Sequence, residues 1–287
     1  MGVRGRLEAT GLGVYFGIRE ACSSREDMAG LDLEPGVEGK TVVVQGLGDV
    51  GYHAARELQE AGARIMAVGE RDGSLRATSS EGLDISDLRE HMEESGSILG
   101  FPGTEEMERG SDVLELECDI LLPAALENQI TDENVDRIRA RIVAEGANGP
   151  TATRASEALH DRGVLVLPDL YLNAGGVTVS YFEWVKNLTR LRFGRLEKRF
   201  YETSAYRMLE AVEGLVDRRF EGDENERASS GAGEAQLVRS GLEETMVSAY
   251  REIRETARGK DVDLRTAAFV LAIEEVARVY EERGVFP

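Results

Sequence analysis

The chain has 287 residues, 54 acidic and 34 basic side chains, and a net charge of −20. This length allows a sizeable core, and 41% apolar residues with 6% aromatics are ordinary for a globular protein. The negative charge disfavours nucleic acid and anionic membranes as partners. The sequence has no apolar run of about 18 residues and no signal-peptide core, so we predict a cytoplasmic protein.

The basic residues are almost all arginine, since lysine occurs only at the four positions 40, 186, 198 and 260. An acidic surface with arginine is typical of a proteome adapted to high salt, where charge repulsion is screened. A GC-rich genome that favours arginine codons explains the composition equally well. Both explanations stay open.

The first predicted element is a helix over residues 8–24, where apolar side chains recur at helical spacing. A loop bearing Pro and Gly leads to a strand at 41–45, a glycine-rich turn, a helix at 50–62 and a strand at 64–69. This strand–helix–strand unit implies a parallel sheet.

The alternation of helices and strands continues to residue 169. We predict helices at 84–95, 131–140 and 152–162, and strands at 118–125, 142–147 and 164–169. These strands are near-continuous apolar runs, as expected when helices cover both faces of a sheet. We therefore predict an α/β fold with an open, doubly wound Rossmann-type parallel sheet.

The remainder of the chain is predicted to be helical, over 177–190, 195–220 and 236–283, with a break near Gly259 and an exposed loop at 221–236. We divide the chain into a Rossmann-type dinucleotide-binding domain, residues 1–190, and a helical C-terminal extension packed on it, residues 191–287. Cys22 and Cys118 lie in apolar or helical contexts and predict buried free thiols. The three histidines show no ligand spacing with them, and we predict no metal site.

The sequence VVVQGLGDVG places Gly46, Gly48 and Gly51 in a G-x-G-x-x-G motif between a strand and a helix. Glu70 ends the next strand, 24 residues after the first glycine. Glycines here let the backbone approach a pyrophosphate at the helix N-terminus, and the carboxylate accepts ribose hydroxyls. The pattern predicts NAD as the cofactor, although Arg71 beside Glu70 could accommodate the 2′-phosphate of NADP.

Asp49 is the unusual residue of this motif, because its carboxylate competes with phosphate for the same amide groups. We expect it to cap the empty site. Negative charge beside a pyrophosphate predicts weak or conditional dinucleotide binding, and a dissociation constant in the low micromolar range would contradict this.

Six blocks of the sequence resemble the glutamate dehydrogenase family of amino-acid dehydrogenases: GRLEATGLGVYFGIREA, VVVQGLGDVG, ILLPAALENQIT, IVAEGANGPTA, NAGGVTVSYFEWVKN and VDLRTAAFVLAIEEVA. The likeness runs in order from Arg4 to the end of the chain. It implies oxidative deamination of glutamate to 2-oxoglutarate and ammonia, with hydride transfer to a nicotinamide cofactor. Family members usually read GNVG where this chain has GDVG.

The resemblance also implies roles for individual residues. Thr10, Asn148 and Asn173 would lie around the nicotinamide ribose and carboxamide. Arg6 would lie at the substrate carboxylate, and Val177 and Ser180, one helical turn apart, would meet the glutamate side chain. Taken singly, Thr10 and the asparagines could instead cap turns, and Ser180 could bond its own helix.

Family members carry a substrate domain, with its lysines and a proton-transferring aspartate, before these blocks. None of the four lysines here lies in a glycine-rich substrate motif, so we assign no catalytic residue and predict little or no glutamate turnover by this chain alone. Three hypotheses remain: a cofactor domain that needs a substrate domain, a non-catalytic regulatory subunit that docks on a full-length glutamate dehydrogenase, and a nucleotide-binding module with unrelated partners. Homo- and hetero-oligomers are both compatible with the sequence.

Overall fold

A computed structural model describes residues 6–189 and 234–284 of the chain. The strands are β1 Thr41–Gln45, β2 Arg64–Glu70, β3 Gly73–Ala77, β4 Thr104–Met107, β5 Ile120–Pro123, β6 Ile142–Ala144 and β7 Leu165–Leu167. The helices are α1 Ala9–Ser23, α2 Arg25–Gly30, α3 Asp49–Glu60, α4 Ile85–Ser95, α5 Thr153–Asp161, α6 Asp169–Leu172, α7 Gly175–Thr189, α8 Glu234–Lys260 and α9 Leu264–Arg283.

The seven strands form one sheet in the order β4-β3-β2-β1-β5-β6-β7. β1 pairs in parallel with both β2 and β5, and β6 and β7 continue the parallel set. The strand order therefore reverses direction at β1. In open α/β sheets, the crevice beyond the carboxyl ends of the strands at such a switch point is where ligands bind.

The doubly wound, Rossmann-type α/β fold is confirmed. The apolar strands predicted it because parallel strands are covered on both faces. On one face Val43, Leu121 and Val143 from three adjacent strands are buried in a single cluster together with Leu159 of α5. The central strands thus form a rigid base for the loops that follow them.

Helix α1 packs closely on α3 because glycines face it. A Cβ on Gly11 would lie 2.6 Å from the Cβ of His53, and one on Gly13 would lie 2.9 Å from the Cα of Gly175. This close approach brings the N-terminal half of α1 to the glycine-rich loop and to the start of α7. The predicted helix over residues 8–24 is confirmed as α1.

The structure differs from the sequence predictions in two places. The helix predicted at 131–140 is wrong, since only a 3-10 turn at Val135–Arg137 forms there. The sequence reading also missed β3 and β4, which are antiparallel additions at one edge of the sheet. The helix predicted at 195–220 and most of the loop predicted at 221–236 lie outside the described residues.

The chain separates into two compact units, one of residues 1–6 and 177–242 and the other of residues 7–176 and 243–287. The second unit contains the whole sheet together with α9, so the C-terminal helix belongs to the sheet unit. The boundary drawn at residue 190 from the sequence stays a prediction. Across the described ranges, no helix is long and apolar enough to span a membrane.

Both cysteines are buried free thiols, as predicted. Burial raises the pKa of the Cys22 thiol to about 12 and that of the Cys118 thiol to about 12. Neither thiol is therefore a nucleophile near neutral pH.

Candidate functional site

The glycine-rich loop lies between β1 and α3, at the carboxyl edge of the sheet where the strand order reverses. Gly46 has φ +93°, and a Cβ there would lie 2.9 Å from the backbone nitrogen of Ala125. A Cβ on Gly51 would collide with the carbonyl oxygen of Gly46. These two glycines are therefore required by the loop itself, for a left-handed turn and for close helix packing.

Gly48 differs from the other two glycines of the motif. A Cβ on Gly48 would meet no atom of the described residues within 4 Å apart from its chain neighbours, and its φ of −71° is open to any residue. No steric contact within the described part of the chain needs a glycine here. The space beside Gly48 is what backbone contact with a ligand would require.

The amide groups at the start of α3 face the same space. Among the described residues, no backbone carbonyl outside the helix accepts a hydrogen bond from the N–H of Gly48, Asp49 or Val50, and Gly48 as the N-cap residue has no side-chain acceptor. The first N–H groups of a helix have no partner within the helix and carry its positive dipole end. An anionic group can therefore bind here, and the arrangement fits the pyrophosphate of a dinucleotide.

Glu70 lies at the end of β2, beside this loop. One of its carboxylate oxygens accepts a hydrogen bond from the N–H of Leu47, and the other accepts one from the N–H of Arg71 at 3.3 Å. The protein's own carboxylate thus binds the amide of Leu47 and, as far as the described residues go, not the three amides that follow it. The predicted pairing of the glycine motif with an acid on the neighbouring strand tip is present in the structure.

Asp49 does not cap the amide groups of the glycine-rich loop, contrary to the prediction. It is the first residue of α3, its side chain is exposed, and α3 has no side-chain cap. The N-cap position, from which a side-chain oxygen would accept the helix amides, is occupied by Gly48, which has no side chain. Asp49 therefore adds negative charge to the site without closing it.

Arg89 of α4 was not identified from the sequence. Its guanidinium donates a hydrogen bond to the carbonyl oxygen of Leu47 at 2.9 Å and lies 5.3 Å from the centre of the Tyr52 ring. Leu47 is thus held through its N–H by Glu70 and through its carbonyl by Arg89. Because the two residues are 42 positions apart, no local pattern could have indicated this contact.

His53, one turn into α3, does not add positive charge to the site. Burial lowers the pKa of His53, the nearby Arg56 lowers it further, and the carboxylates of Glu8 and Asp49 oppose the shift. An imidazole with a pKa below its usual value of about 6.5 is mostly neutral at pH 7. The fixed positive charge near the loop therefore comes from arginine and the helix dipole.

Three predicted nicotinamide-side residues lie in neighbouring segments of the sheet unit. The Nδ2 group of Asn173, after α6, donates a hydrogen bond to Oδ1 of Asn148, after β6, at 2.7 Å. Thr10 of α1 packs against Gly176 at the start of α7, where a Cβ would collide with its hydroxyl oxygen. Asn148 and Asn173 thus lie in segments that follow the last two parallel strands, and Thr10 lies on α1 beside the start of α7.

The predicted substrate residues belong to the other unit. Val177 and Ser180 are both on α7, and Val177 is 74% exposed. Arg6 forms an ion pair with Glu183, also on α7, at 3.1 Å. Their roles toward a substrate stay predictions.

Two of the four lysines have described side chains, and neither lies in the glycine-rich crevice. Lys40 is buried and donates a hydrogen bond to the carbonyl oxygen of Glu34. Lys260 forms an exposed ion pair with Glu274 at 3.4 Å.

Comparison with known proteins agrees with this geometry. Residues 2–230 match the family model described as glutamate/leucine/phenylalanine/valine dehydrogenase. The chain belongs to this dehydrogenase family. The resemblance to this family, predicted from the six sequence blocks, is thereby confirmed.

Two similar relatives are described as glutamate dehydrogenases. The mitochondrial glutamate dehydrogenase of Dictyostelium discoideum is 47% identical over 99% of this chain and 56% of its own length. The glutamate dehydrogenase of Thermotoga maritima is 37% identical over 100% of the chain and 57% of its own. The chain thus spans a little over half the length of these dehydrogenases.

Solved structures of the family support the same fold. The hetero-hexameric glutamate dehydrogenase of Thermus thermophilus, in its leucine-bound form, superposes with a TM-score of 0.75 at 28% identity. The alignment covers 100% of this chain and 56% of that chain. The glutamate dehydrogenase of Peptoniphilus asaccharolyticus superposes with a TM-score of 0.67 at 26% identity, covering 99% and 55% of the respective chains.

Proposed function

We propose that this chain binds a nicotinamide dinucleotide in the crevice beyond β1 and serves the oxidative deamination of glutamate to 2-oxoglutarate and ammonia. The observation that carries the proposal is the space beside Gly48, next to three amide groups at the start of α3 that have no backbone acceptor among the described residues. Gly48, Asp49 and Val50 would hold the pyrophosphate through their N–H groups. The bound cofactor would accept hydride from the substrate.

The position of Glu70 supports NAD as the preferred dinucleotide. A carboxylate at the tip of β2 accepts the ribose hydroxyls of NAD and repels the 2′-phosphate of NADP. A Bacillus subtilis relative, 35% identical over 99% of the chain, is described as an NAD-specific glutamate dehydrogenase. Arg71 is exposed beside Glu70, so NADP is expected to bind more weakly rather than not at all.

For the substrate half of the reaction we propose that Arg6, Val177 and Ser180 contact glutamate or 2-oxoglutarate. Arg6 would bind a substrate carboxylate only after its guanidinium leaves Glu183. Because neither described lysine lies in the crevice, a group that polarises the substrate carbonyl is expected to come from a substrate domain. We therefore expect no glutamate turnover by this chain alone.

Two measurements test this function. Calorimetric titration should show binding of NAD, with a dissociation constant weaker than the low micromolar range, and weaker binding of NADP. Incubation with glutamate and NAD should give no NADH until a substrate domain from a family member is added. Absence of NAD binding at millimolar concentration would refute the proposal.

A second candidate function is regulatory. Phe269, Ile273, Val276 and Tyr280 share one face of α9, and each is more than half exposed. The sequence also predicted an apolar face on this helix, and its Ala267 and Ala268 are buried. A family neighbour is described as hetero-hexameric, and we propose that the exposed face of α9 could dock on a full-length glutamate dehydrogenase.

The regulatory candidate is tested by mixing the chain with a full-length glutamate dehydrogenase. Co-elution, together with a change in that enzyme's rate, would support it, and Ile273→Asp should abolish both effects. Glu281→Gln, a change of an exposed residue on the same helix, is the control. A chain that elutes alone and leaves the rate unchanged would refute this candidate.

A further inference from the structure

A buried carboxylate lies directly after β6. Glu145 is 0% exposed, and burial raises the pKa of its carboxyl group, whereas the guanidinium of Arg265 opposes that shift. Arg265, on α9, donates hydrogen bonds to both carboxylate oxygens at 2.6 and 2.7 Å. A buried charge is tolerated only when it is paired in this manner.

The same guanidinium binds a second carboxylate, that of Asp169 at the start of α6. One Arg265 nitrogen donates to Oδ1 of Asp169 at 3.0 Å, and Oδ2 of Asp169 accepts the N–H of Gly149 at 2.8 Å. The N–H of Asp169 donates to Oε2 of Glu145 at 2.9 Å. Three side chains and two backbone amides therefore form one network that joins the loop after β6, the start of α6 and α9.

Both loops of this network carry residues expected at the nicotinamide. Gly149 directly follows Asn148, and the four-residue helix α6 directly precedes Asn173. The two asparagine side chains are hydrogen-bonded to each other across the loops. The hydrogen bonds that hold Gly149 and Asp169 in place therefore also set the distance between Asn148 and Asn173.

We propose that Arg265 is a positioning residue that, through Glu145 and Asp169, holds Asn148 and Asn173 in the arrangement that receives the nicotinamide half of a bound dinucleotide. This inference rests on the proposed binding of a dinucleotide in the crevice beyond β1. The inference gives α9 a part in cofactor recognition, although α9 does not belong to the glycine-rich loop.

The geometry of arginine is what this position requires. Its planar fork reaches two carboxylates at once, whereas a lysine ammonium is a single point charge on a flexible stem. Arg265→Lys keeps the positive charge beside Glu145 but cannot make all three hydrogen bonds in the same geometry. The loops should then lose their fixed separation while a positive charge still lies beside the buried carboxylate of Glu145.

The test compares binding of NAD with binding of ADP. ADP keeps the adenosine and the pyrophosphate, which Glu70 and the glycine-rich loop would hold, but lacks the nicotinamide riboside. Arg265→Lys should raise the dissociation constant for NAD about tenfold and leave that for ADP within twofold. Arg278→Met is the matched control, because Arg278 lies on the same helix, is exposed and pairs only with acids of α9 among the described residues.

Hydrogen exchange supplies a readout that needs no ligand. The amides of Gly149 and Asp169 should exchange faster in Arg265→Lys than in the wild-type chain and in the control. Arg265→Met should show the same effects more strongly, and if this variant does not fold, the lysine variant and its exchange rates still decide the question.

The outcomes separate the two proposals. Equal weakening of NAD and ADP binding by Arg265→Lys, or unchanged binding of both, would overturn the positioning role while leaving the dinucleotide site intact. A wild-type chain that binds neither NAD nor ADP would refute the dinucleotide site, and the positioning role falls with it.

Discussion

Replacement of Gly48 by alanine tests whether the open space in the glycine motif belongs to a ligand. The φ and ψ of Gly48, −71° and −167°, are available to alanine, and the new methyl group would meet no described atom beyond its chain neighbours. Alanine caps a helix less well than glycine does, so we expect the free energy of unfolding to fall by about 1 kcal/mol or less. The free chain should therefore fold normally.

The effect on binding should be larger than the effect on stability. The methyl group would occupy the space through which a phosphate reaches the amides of α3. Loss of one hydrogen bond to a charged acceptor costs about 1.5–3 kcal/mol, which corresponds to a roughly 10- to 150-fold higher dissociation constant for NAD.

The assay pairs thermal unfolding with calorimetric titration of NAD. Gly46→Ala is the contrasting variant, because its φ of +93° and the nearby backbone of Ala125 make alanine strained in the free protein. We expect this variant to lose roughly 1–3 kcal/mol of stability. Gly48→Ala with normal stability and normal NAD affinity would refute the assignment of this space to the pyrophosphate.

Other variants test the charges and thiols. Asp49→Asn should strengthen NAD binding about 3- to 10-fold at low salt, since it removes a charge beside the pyrophosphate, and the gain should vanish at high salt; an unchanged affinity would contradict this. Glu70→Gln keeps an acceptor for the N–H of Leu47 and removes the repulsion of a 2′-phosphate, so the NADP-to-NAD affinity ratio should rise several-fold; a constant ratio would count against Glu70 as the selective residue. Because burial raises the pKa of Cys22 and of Cys118 to about 12, an alkylating reagent at pH 8 should modify neither thiol in the folded chain and both after unfolding; rapid labelling of the native chain would show that the thiols are accessible.

Much of the fold could be predicted because the parallel strands are strongly apolar. β1, β5 and β6 are buried on both faces, so their sequences contain almost no polar residues. β3 and β4 were missed because they are short antiparallel strands added beyond β2. β4, the edge strand, reads TEEM, with the two glutamates exposed. An edge strand can be polar on its open face, so it has no apolar run to reveal it.

The helix predicted at 131–140 shows where periodicity misleads. Val135 and Ile138 have helical spacing and are both buried. However, the side chain of Asn134 accepts the N–H of Thr131, and the chain continues as a single 3-10 turn. Asparagine side chains compete with helix hydrogen bonds in this manner.

For the candidate site as well, some residues could be predicted from the sequence and others could not. Gly46, Gly48, Gly51 and Glu70 could be located because the motif is contiguous and the acid follows at the next strand end. Arg89 and Arg265 could not, because their partners lie 42 and 120 residues away and the contacts arise only from folding. The local sequence therefore identified the residues of the glycine-rich loop and its acidic neighbour. The structure was needed to show the arginine contacts that hold the loops of the site in place.

The central claim is that free amides at the start of α3 bind the pyrophosphate of a dinucleotide. The most direct measurement is the change in amide resonances of the isotopically labelled chain during titration with NAD. We predict that the signals of Gly48 and Val50 shift with saturating NAD and not with adenosine, which lacks phosphate. Saturation by NAD that leaves both amides unmoved would contradict the account.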